Sequence, residues 1–445
     1  MNQKLKAGIA RTDITPPVGY QHQGYPDLRK SCVGVHDELF AKVLFLEKGK
    51  DKLAIVTGDV LGFSKNIVDD IKSRIKSEIG LNREDIIISA SHTHYGPIIV
   101  DFIYDKNPDA SYLSRLKAKI VGAVCEASGN MHKVILSFGK GKTNIGIINR
   151  IGKDSSSKGK NYPITPNPGG RIDDDLNILK VDVETQEEPL ALLVNYACHP
   201  VSFPGLAFQF SADYPGQMQH EIERFYNNKT MAMFANGACG DINPDIIDHN
   251  KTKFLAGTKE DTKRLGTLLA LKALELTYNT HKIKKIFFKK NIKTLKFPFD
   301  VVSETELKRI GANLSKTDKK METAKQNILK LWVKTNLKAI KNNTVRKYVG
   351  ADLQYINISD KLVIACLPGE PLVEIGLNIK KIFKEKGVFV FGYSNDYIGY
   401  IPTAESLKKG CYEAIRSPRT WGYPGTFKKE VEGMIYEYFR RQNKL

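Results

Sequence analysis

Short β-branched apolar runs alternate with amphipathic stretches along this chain, a pattern that predicts strands separated by helices and hence an α/β architecture. Six of these runs release polar residues into a Gly- or Pro-marked loop. Residues 53–57 lead to Asp59, 86–90 to His92, 191–196 to His199, 231–235 to Asn236 and Asp241, 361–366 to Glu370, and 388–392 to Tyr400. Loops at strand ends are where a rigid scaffold gathers its chemistry, so the recurrence predicts one site assembled from distant parts of the sequence. Residues 303–347 read as one or two long, lysine-studded helices, an excursion from the core. Residues 153–160, rich in Ser, Gly and Lys, read as a mobile loop. With no repeat of fixed period and no clear boundary, one domain over residues 1–445 is expected.

The candidate chemistry begins where Ile86-Ile87-Ile88 runs out into Ser91-His92-Thr93-His94-Tyr95-Gly96-Pro97. In extended backbone, residues i and i+2 point to the same side, so one imidazole would hold a metal while the other faces a substrate. Ordinary hydrogen-bonded capping of a strand end is the alternative for such a pair. Asn195-Tyr196-Ala197-Cys198-His199-Pro200 supplies a third histidine, and Pro368-Gly369-Glu370-Pro371 fixes a carboxylate between two prolines. Two His and one Glu suit zinc, which takes imidazole nitrogen and carboxylate oxygen in tetrahedral geometry and lowers the pKa of bound water. The spacing is long-range, unlike H-E-x-x-H on one helix, so it permits such a cluster without requiring it. Asp59 or Asp213 could fix the tautomer of a ligand histidine, and His36 also lies near a predicted strand end. Plain structural hydrogen bonding is the competing reading for each.

Composition narrows the class. A chain of 445 residues with 41% apolar content can bury a large core. The start, Met1-Asn2-Gln3-Lys4-Leu5-Lys6, has no apolar signal region, and no stretch is long enough to span a bilayer, so a cytoplasmic protein is expected. Six widely spaced cysteines without a C-x-x-C pair argue against a zinc ribbon or a disulfide framework. The formal charge of +19 comes from dispersed residues, densest and lysine-rich in 281–296 and 307–347, with no recognisable nucleic-acid motif. No nucleic-acid partner is expected. Solvated helix faces explain most of this charge, and weak contact with an anionic membrane surface or an acidic substrate remains as the alternative.

Several motifs in one order carry a more specific signal: His92-Thr93-His94-x-Gly96-Pro97, Asn149-Arg150, Asn195 to His199, Asn236-x-x-x-Gly240-Asp241-x-x-Pro244, Pro368-Gly369-Glu370-Pro371, and Ser394-Asn395-Asp396-Tyr397-x-Gly399-Tyr400. This set resembles the neutral/alkaline non-lysosomal ceramidases, zinc amidases that cleave N-acylsphingosine, over the catalytic domain from about Ala7 onward. The resemblance implies a mixed β-sheet core flanked by helices and one catalytic zinc held by His92, His199, Glu370 and Tyr400. It implies a substrate-facing group of His94, Arg150 and Tyr412, the last twelve residues after Tyr400. A lipid N-acyl substrate follows from the same likeness.

Three departures accompany it. Asn243 stands in Gly240-Asp241-Ile242-Asn243-Pro244 where ceramide-cleaving members resemble Gly-Asp-Val-Ser-Pro, and an amide cannot form an acyl-enzyme. Attack by metal-activated water is then the economical route. Full-length ceramidases also carry an immunoglobulin-like C-terminal domain, which is not expected here, and extracellular members carry a secretory signal. The departures weigh on ceramide as the substrate more than on the metal site. A zinc hydrolase of a smaller polar amide, ester or lactone, or a non-catalytic binding protein keeping the fold, are the competing functions.

Overall fold

The computed structural model describes residues 4–24, 31–104, 108–151, 164–203, 208–315 and 324–444. The segment 153–160 lies outside the described residues, as does part of the 303–347 excursion.

Alternation along the strands decides the layering. In Phe40–Lys48, Val43 and Phe45 point into one core while Leu44 and Leu46 point into another. Ile86 and Ile88 likewise part from Ile87, and Leu192 and Val194 from Leu193. A strand apolar on both faces must be covered on both, and here each face finds a different cover. The large sheet runs in the order Met231–Asn236, Pro189–Tyr196, Asp175–Val183, His132–Lys142, Lys6–Asp13, Phe40–Lys48, Asp51–Gly58, Ile86–Ala90, with His281–Lys282 paired onto His132–Lys142. A second sheet runs Gly387–Phe391, Leu362–Cys366, Tyr348–Ser359, Lys289–Val301, Gly425–Phe427.

The two sheets share one core, where Leu44, Ile55 and Leu193 of the first meet Ile356, Ile364 and Phe389 of the second. The outer face of the large sheet is covered by the helices Lys65–Ile79, Ala110–Gly129, Asp213–Phe225 and Lys259–Thr277. The outer face of the second is covered by Val373–Ile382 and Glu430–Lys444. The fold is therefore four layers, helix, sheet, sheet, helix, which is the mixed sheet flanked by helices that the sequence led us to expect. Lys65–Ile79 shows the local logic. Ile67, Val68, Ile71 and Ile75 recur at helical spacing on the buried side, each contributing about 2 kcal/mol of burial. The helix stops at Gly80, which adopts the left-handed conformation at φ 72°.

Both strands at the ends of the large sheet are paired in parallel with their neighbours, as are Leu362–Cys366 and Gly387–Phe391 in the second sheet. The segment after Phe391 ties these parallel pairs together. Gly392 N donates to Asn236 O at 3.0 Å, Ala90 N to Tyr393 O at 3.1 Å, and Asn395 N to Ile88 O at 2.7 Å. The C-terminal ends of distant strands thus converge on one place. Within the 303–347 stretch, the helices Glu304–Ser315 and Ala324–Lys341 interrupt the hairpin between Lys289–Val301 and Tyr348–Ser359 and pack through a small cluster of Leu307, Trp332 and Val333. No helix among the described residues is long and apolar enough to cross a membrane.

Candidate metal centre

Each side chain of the centre arrives from a strand end. His92 and His94 follow Ile86–Ala90, His199 follows Pro189–Tyr196, and Glu370 and Tyr400 sit opposite each other in a short parallel pairing, Glu370–Pro371 with Tyr400–Ile401. That pairing depends on two glycines at positive φ, Gly369 at 86° and Gly399 at 79°. A Cβ on Gly369 would collide with the Gly399 carbonyl oxygen, so this close approach admits no side chain there.

His92 corrects the extended-strand expectation. Its φ is 71°, a left-handed conformation unusual for a residue with a side chain. The kink is held by His92 N donating to Val60 O at 3.0 Å and by the ring nitrogen Nδ1 bonded to Leu61 O at 2.7 Å. His92 and His94 do converge, Nε2 to Nε2 at 3.3 Å, through this kink rather than through strand alternation.

The hydrogen bonds fix the chemistry of the ring nitrogens. His92 Nδ1 faces Leu61 O and His199 Nδ1 faces Cys239 O, both at 2.7 Å. A carbonyl only accepts, so each Nδ1 carries the proton and each Nε2 of the neutral ring presents a lone pair. These two Nε2 atoms lie 3.3 and 3.2 Å from the same carboxylate oxygen, Glu370 Oε2. Tyr400 OH stands 3.4 Å from His199 Nε2. Burial opposes the charge of Glu370, yet protonated imidazole at His92, and secondly at His199, would hold its carboxyl well below the usual carboxylate range, a role that a cation between neutral rings takes over. Burial, reinforced by Arg150, lowers His199 to about 4, and burial with the neighbouring imidazoles holds His94 well below its usual value. Lone pairs on nitrogen and an anionic oxygen therefore point at one another in a buried space. The arrangement suits a cation placed between them, and the donor set fits zinc. The ring nitrogens of His92, His94 and His199 also lie within 4.8 Å of one another and could hold a metal ion.

Arg150 borders this group. It donates from Nε to Glu413 Oε1 at 3.2 Å, from Nη1 to Asn243 Oδ1 at 2.9 Å, and from Nη2 to both Gly240 O and Tyr400 OH at 2.7 Å. Burial raises the Tyr400 phenol well above its ordinary value, while Arg150 works the other way. Tyr412 packs with its ring centre 6.0 Å from that of Tyr400. His92, His199, Glu370 and Tyr400 are thus brought together, with His94, Arg150 and Tyr412 around them.

Other expectations are revised. Asp59 accepts from Phe40 N, and Asp213 from Ser202, Phe203 and Tyr214, so neither orients His92 or His199; backbone carbonyls do. His36 lies beside Asp37 and Phe203. Asn243 serves Arg150. Three contributors went unassigned in the sequence. Tyr397 OH donates to Glu370 Oε1 at 2.6 Å, Tyr393 stacks on His92 with ring centres 4.2 Å apart, and Glu413 pairs with Arg150. Tyr397 stands in the Ser394-to-Tyr400 motif without an assigned role, and the sequence signal for Tyr393 and Glu413 is adjacency to Ser394 and to Tyr412.

Residues 5–264, more than half of the chain, match the family model described as neutral/alkaline non-lysosomal ceramidase, N-terminal. A neutral ceramidase of Drosophila melanogaster is 24% identical over 261 residues, 54% of this chain and 36% of that protein, and one of Drosophila pseudoobscura pseudoobscura matches to the same extent. The match thus spans 36% of the length of these curated relatives. Among solved structures, the neutral ceramidase from Pseudomonas aeruginosa shares the fold at a TM-score of 0.74 and 16% identity, covering 100% of this chain and 75% of that one. The chain belongs to the neutral/alkaline non-lysosomal ceramidase family.

Proposed function

We propose that this protein is a zinc-dependent amidohydrolase that cleaves the N-acyl amide bond of a ceramide-like lipid with metal-activated water. The observation that carries the reading is the shared approach of two lone-pair Nε2 atoms, on His92 and His199, to Glu370 Oε2 in a buried space. His92, His199, Glu370 and Tyr400 would hold one zinc ion per chain, which when bound would supply the Lewis acidity to acidify water and polarise a scissile carbonyl. The family and the names of the relatives support an N-acyl lipid as substrate.

The chain's own groups divide the remaining work. His94 is neutral at pH 7 and half-buried beside His92, so its ring can carry a proton to the leaving amine. Arg150 commits its Nε–H, both Nη2–H groups and one Nη1–H to protein acceptors, which leaves a single Nη1–H for substrate. It acts first by fixing Tyr400 and secondly, with Tyr412, by donating to the developing oxyanion or a substrate hydroxyl. Asn243, bonded to Arg150 and without a nucleophilic group, supports a route with no acyl-enzyme. The described residues, with the two inserted helices, act as one catalytic unit in this reading.

Amine release from a panel running from long-chain N-acylsphingosine to small N-acetyl amides, with His92→Ala as control, tests it. Release from long acyl chains that disappears in the control is expected. Release from small amides, esters or lactones alone would transfer the metal chemistry to another substrate. A metal-free, inactive and well-folded protein would favour a binding role.

A further inference from the structure

Most long surface helices of this protein balance their cations one turn away. Arg74 pairs with Asp70, Arg224 with Glu221, Arg264 with Asp261, Arg309 with Glu306, and Arg441 with Glu437. The Ala324–Lys341 helix breaks this habit. Residues 324–351 contain seven Lys and Arg and no Asp or Glu. From Leu331 onward the exposed side of the helix is a stripe of Leu331, Lys334, Thr335, Lys338 and Lys341, opposite the buried Ile328, Trp332, Val333 and Asn336. Among the described residues, no ion pair engages Lys334, Lys338 or Lys341, in contrast to the paired cations of the preceding helix.

Apolar groups are interleaved with this charge. Leu331 is 38% exposed within the stripe, and Tyr348, shortly after the last turn, is 44% exposed with Lys296 Nζ 4.7 Å from its ring centre. This combination suits a bilayer interface, where lysine heads meet lipid phosphates while leucine and tyrosine settle at headgroup depth. The buried side of the helix is linked to the metal centre through a chain of contacts. Trp332 Nε1 donates to Tyr423 O at 2.5 Å, and Trp421, two residues earlier, packs 5.2 Å from Tyr397, the tyrosine bonded to Glu370.

We propose that the basic face of the Ala324–Lys341 helix, together with Tyr348, docks the protein on an anionic lipid bilayer. The inference rests on the reading of the site as one that acts on an N-acyl lipid. Lysine charge complementary to anionic headgroups commits the occupant.

Sedimentation of the full chain with vesicles of phosphatidylcholine, alone or mixed with phosphatidylserine, tests the docking. The protein should bind the mixed vesicles selectively and release them as salt rises. The triple variant Lys334→Gln/Lys338→Gln/Lys341→Gln should lower the partition coefficient about 100-fold. Its Tm and its turnover of a water-soluble short-chain N-acyl substrate should stay unchanged. Equal binding by the triple variant, no preference for phosphatidylserine, or binding to duplex DNA without binding to vesicles overturns the proposal. Absence of soluble-substrate turnover alongside the expected vesicle binding would instead overturn the catalytic reading, so the two failures are distinguishable.

Discussion

The hydroxyl of Tyr397 donates to Glu370 Oε1 at 2.6 Å, leaving only Oε2 to face His92 and His199. The tyrosine is itself wedged between rings, with its centre 5.2 Å from Trp421 and 5.8 Å from His92. One oxygen of the carboxylate is thereby fixed by protein while the other is aimed. Tyr397→Phe should weaken zinc binding roughly 10- to 100-fold, as removal of a group that orients a metal ligand does. It should also cost about 1–3 kcal/mol of stability by stranding a buried acceptor. Competition against a chromophoric chelator measures the first, and unchanged affinity would mean that the hydroxyl does not orient Glu370.

The glycine pairing behind Glu370 gives a sharper contrast. Gly369→Ala must place a side chain at φ 86° against the Gly399 carbonyl, so it should cost roughly 2 kcal/mol or more and displace Glu370 from the centre. Gly433, in the Glu430–Lys444 helix, has open space at its Cβ position, so Gly433→Ala should stabilise by about 1 kcal/mol. Denaturant unfolding and zinc stoichiometry of both variants check this, and equal zinc content in Gly369→Ala would refute the packing argument.

Arg150 and Glu413 form a buried pair in which burial raises the Glu413 carboxyl to about 7 and Arg150 pulls it back. Glu413→Ala leaves the guanidinium without its carboxylate and should destabilise the fold by about 3–5 kcal/mol. Glu413→Gln keeps an acceptor oxygen for Arg150 Nε and should lose much less. Turnover should follow the same order, because Tyr400 is positioned through Arg150; equal unfolding free energies for the two variants would contradict this.

Asp396 gives stability a pH dependence. Burial raises its carboxyl to about 7, although Tyr397 N donates to Oδ1 at 2.7 Å. The folded pKa is above the unfolded one, so between about pH 4 and 7 the folded state holds more protons and stability falls as pH rises. The contribution is fully present below about pH 4 and amounts to at most about 4 kcal/mol across the window. Asp396→Asn keeps the acceptor for Tyr397 N and should flatten this part of the profile. Urea unfolding at pH 4.5 and pH 7.5 checks it, and an identical slope in variant and parent would reject the raised carboxyl.

Strand ends were legible in the sequence because β-branched runs stop abruptly at Gly and Pro, so His92, His199, Glu370 and Tyr400 could be placed on rims before any geometry was known. The second sheet was less so. Lys289, Lys293 and Lys296 make the strand Lys289–Val301 resemble a basic surface stretch, and its pairing with Tyr348–Ser359 is hidden by the two helices inserted between them. The orientation of the ligand rings was not legible at all. Leu61 and Cys239 act through backbone carbonyls, which every residue possesses, and the left-handed turn at His92 leaves no mark on the identity of the residue.

The most direct test of a zinc amidohydrolase is fatty-acid release from N-acylsphingosine by the chelator-stripped protein, followed before and after addition of one equivalent of zinc. The account predicts that stripping abolishes release and that zinc restores it in the parent protein but not in Glu370→Gln. Release that persists after complete removal of metal would contradict it.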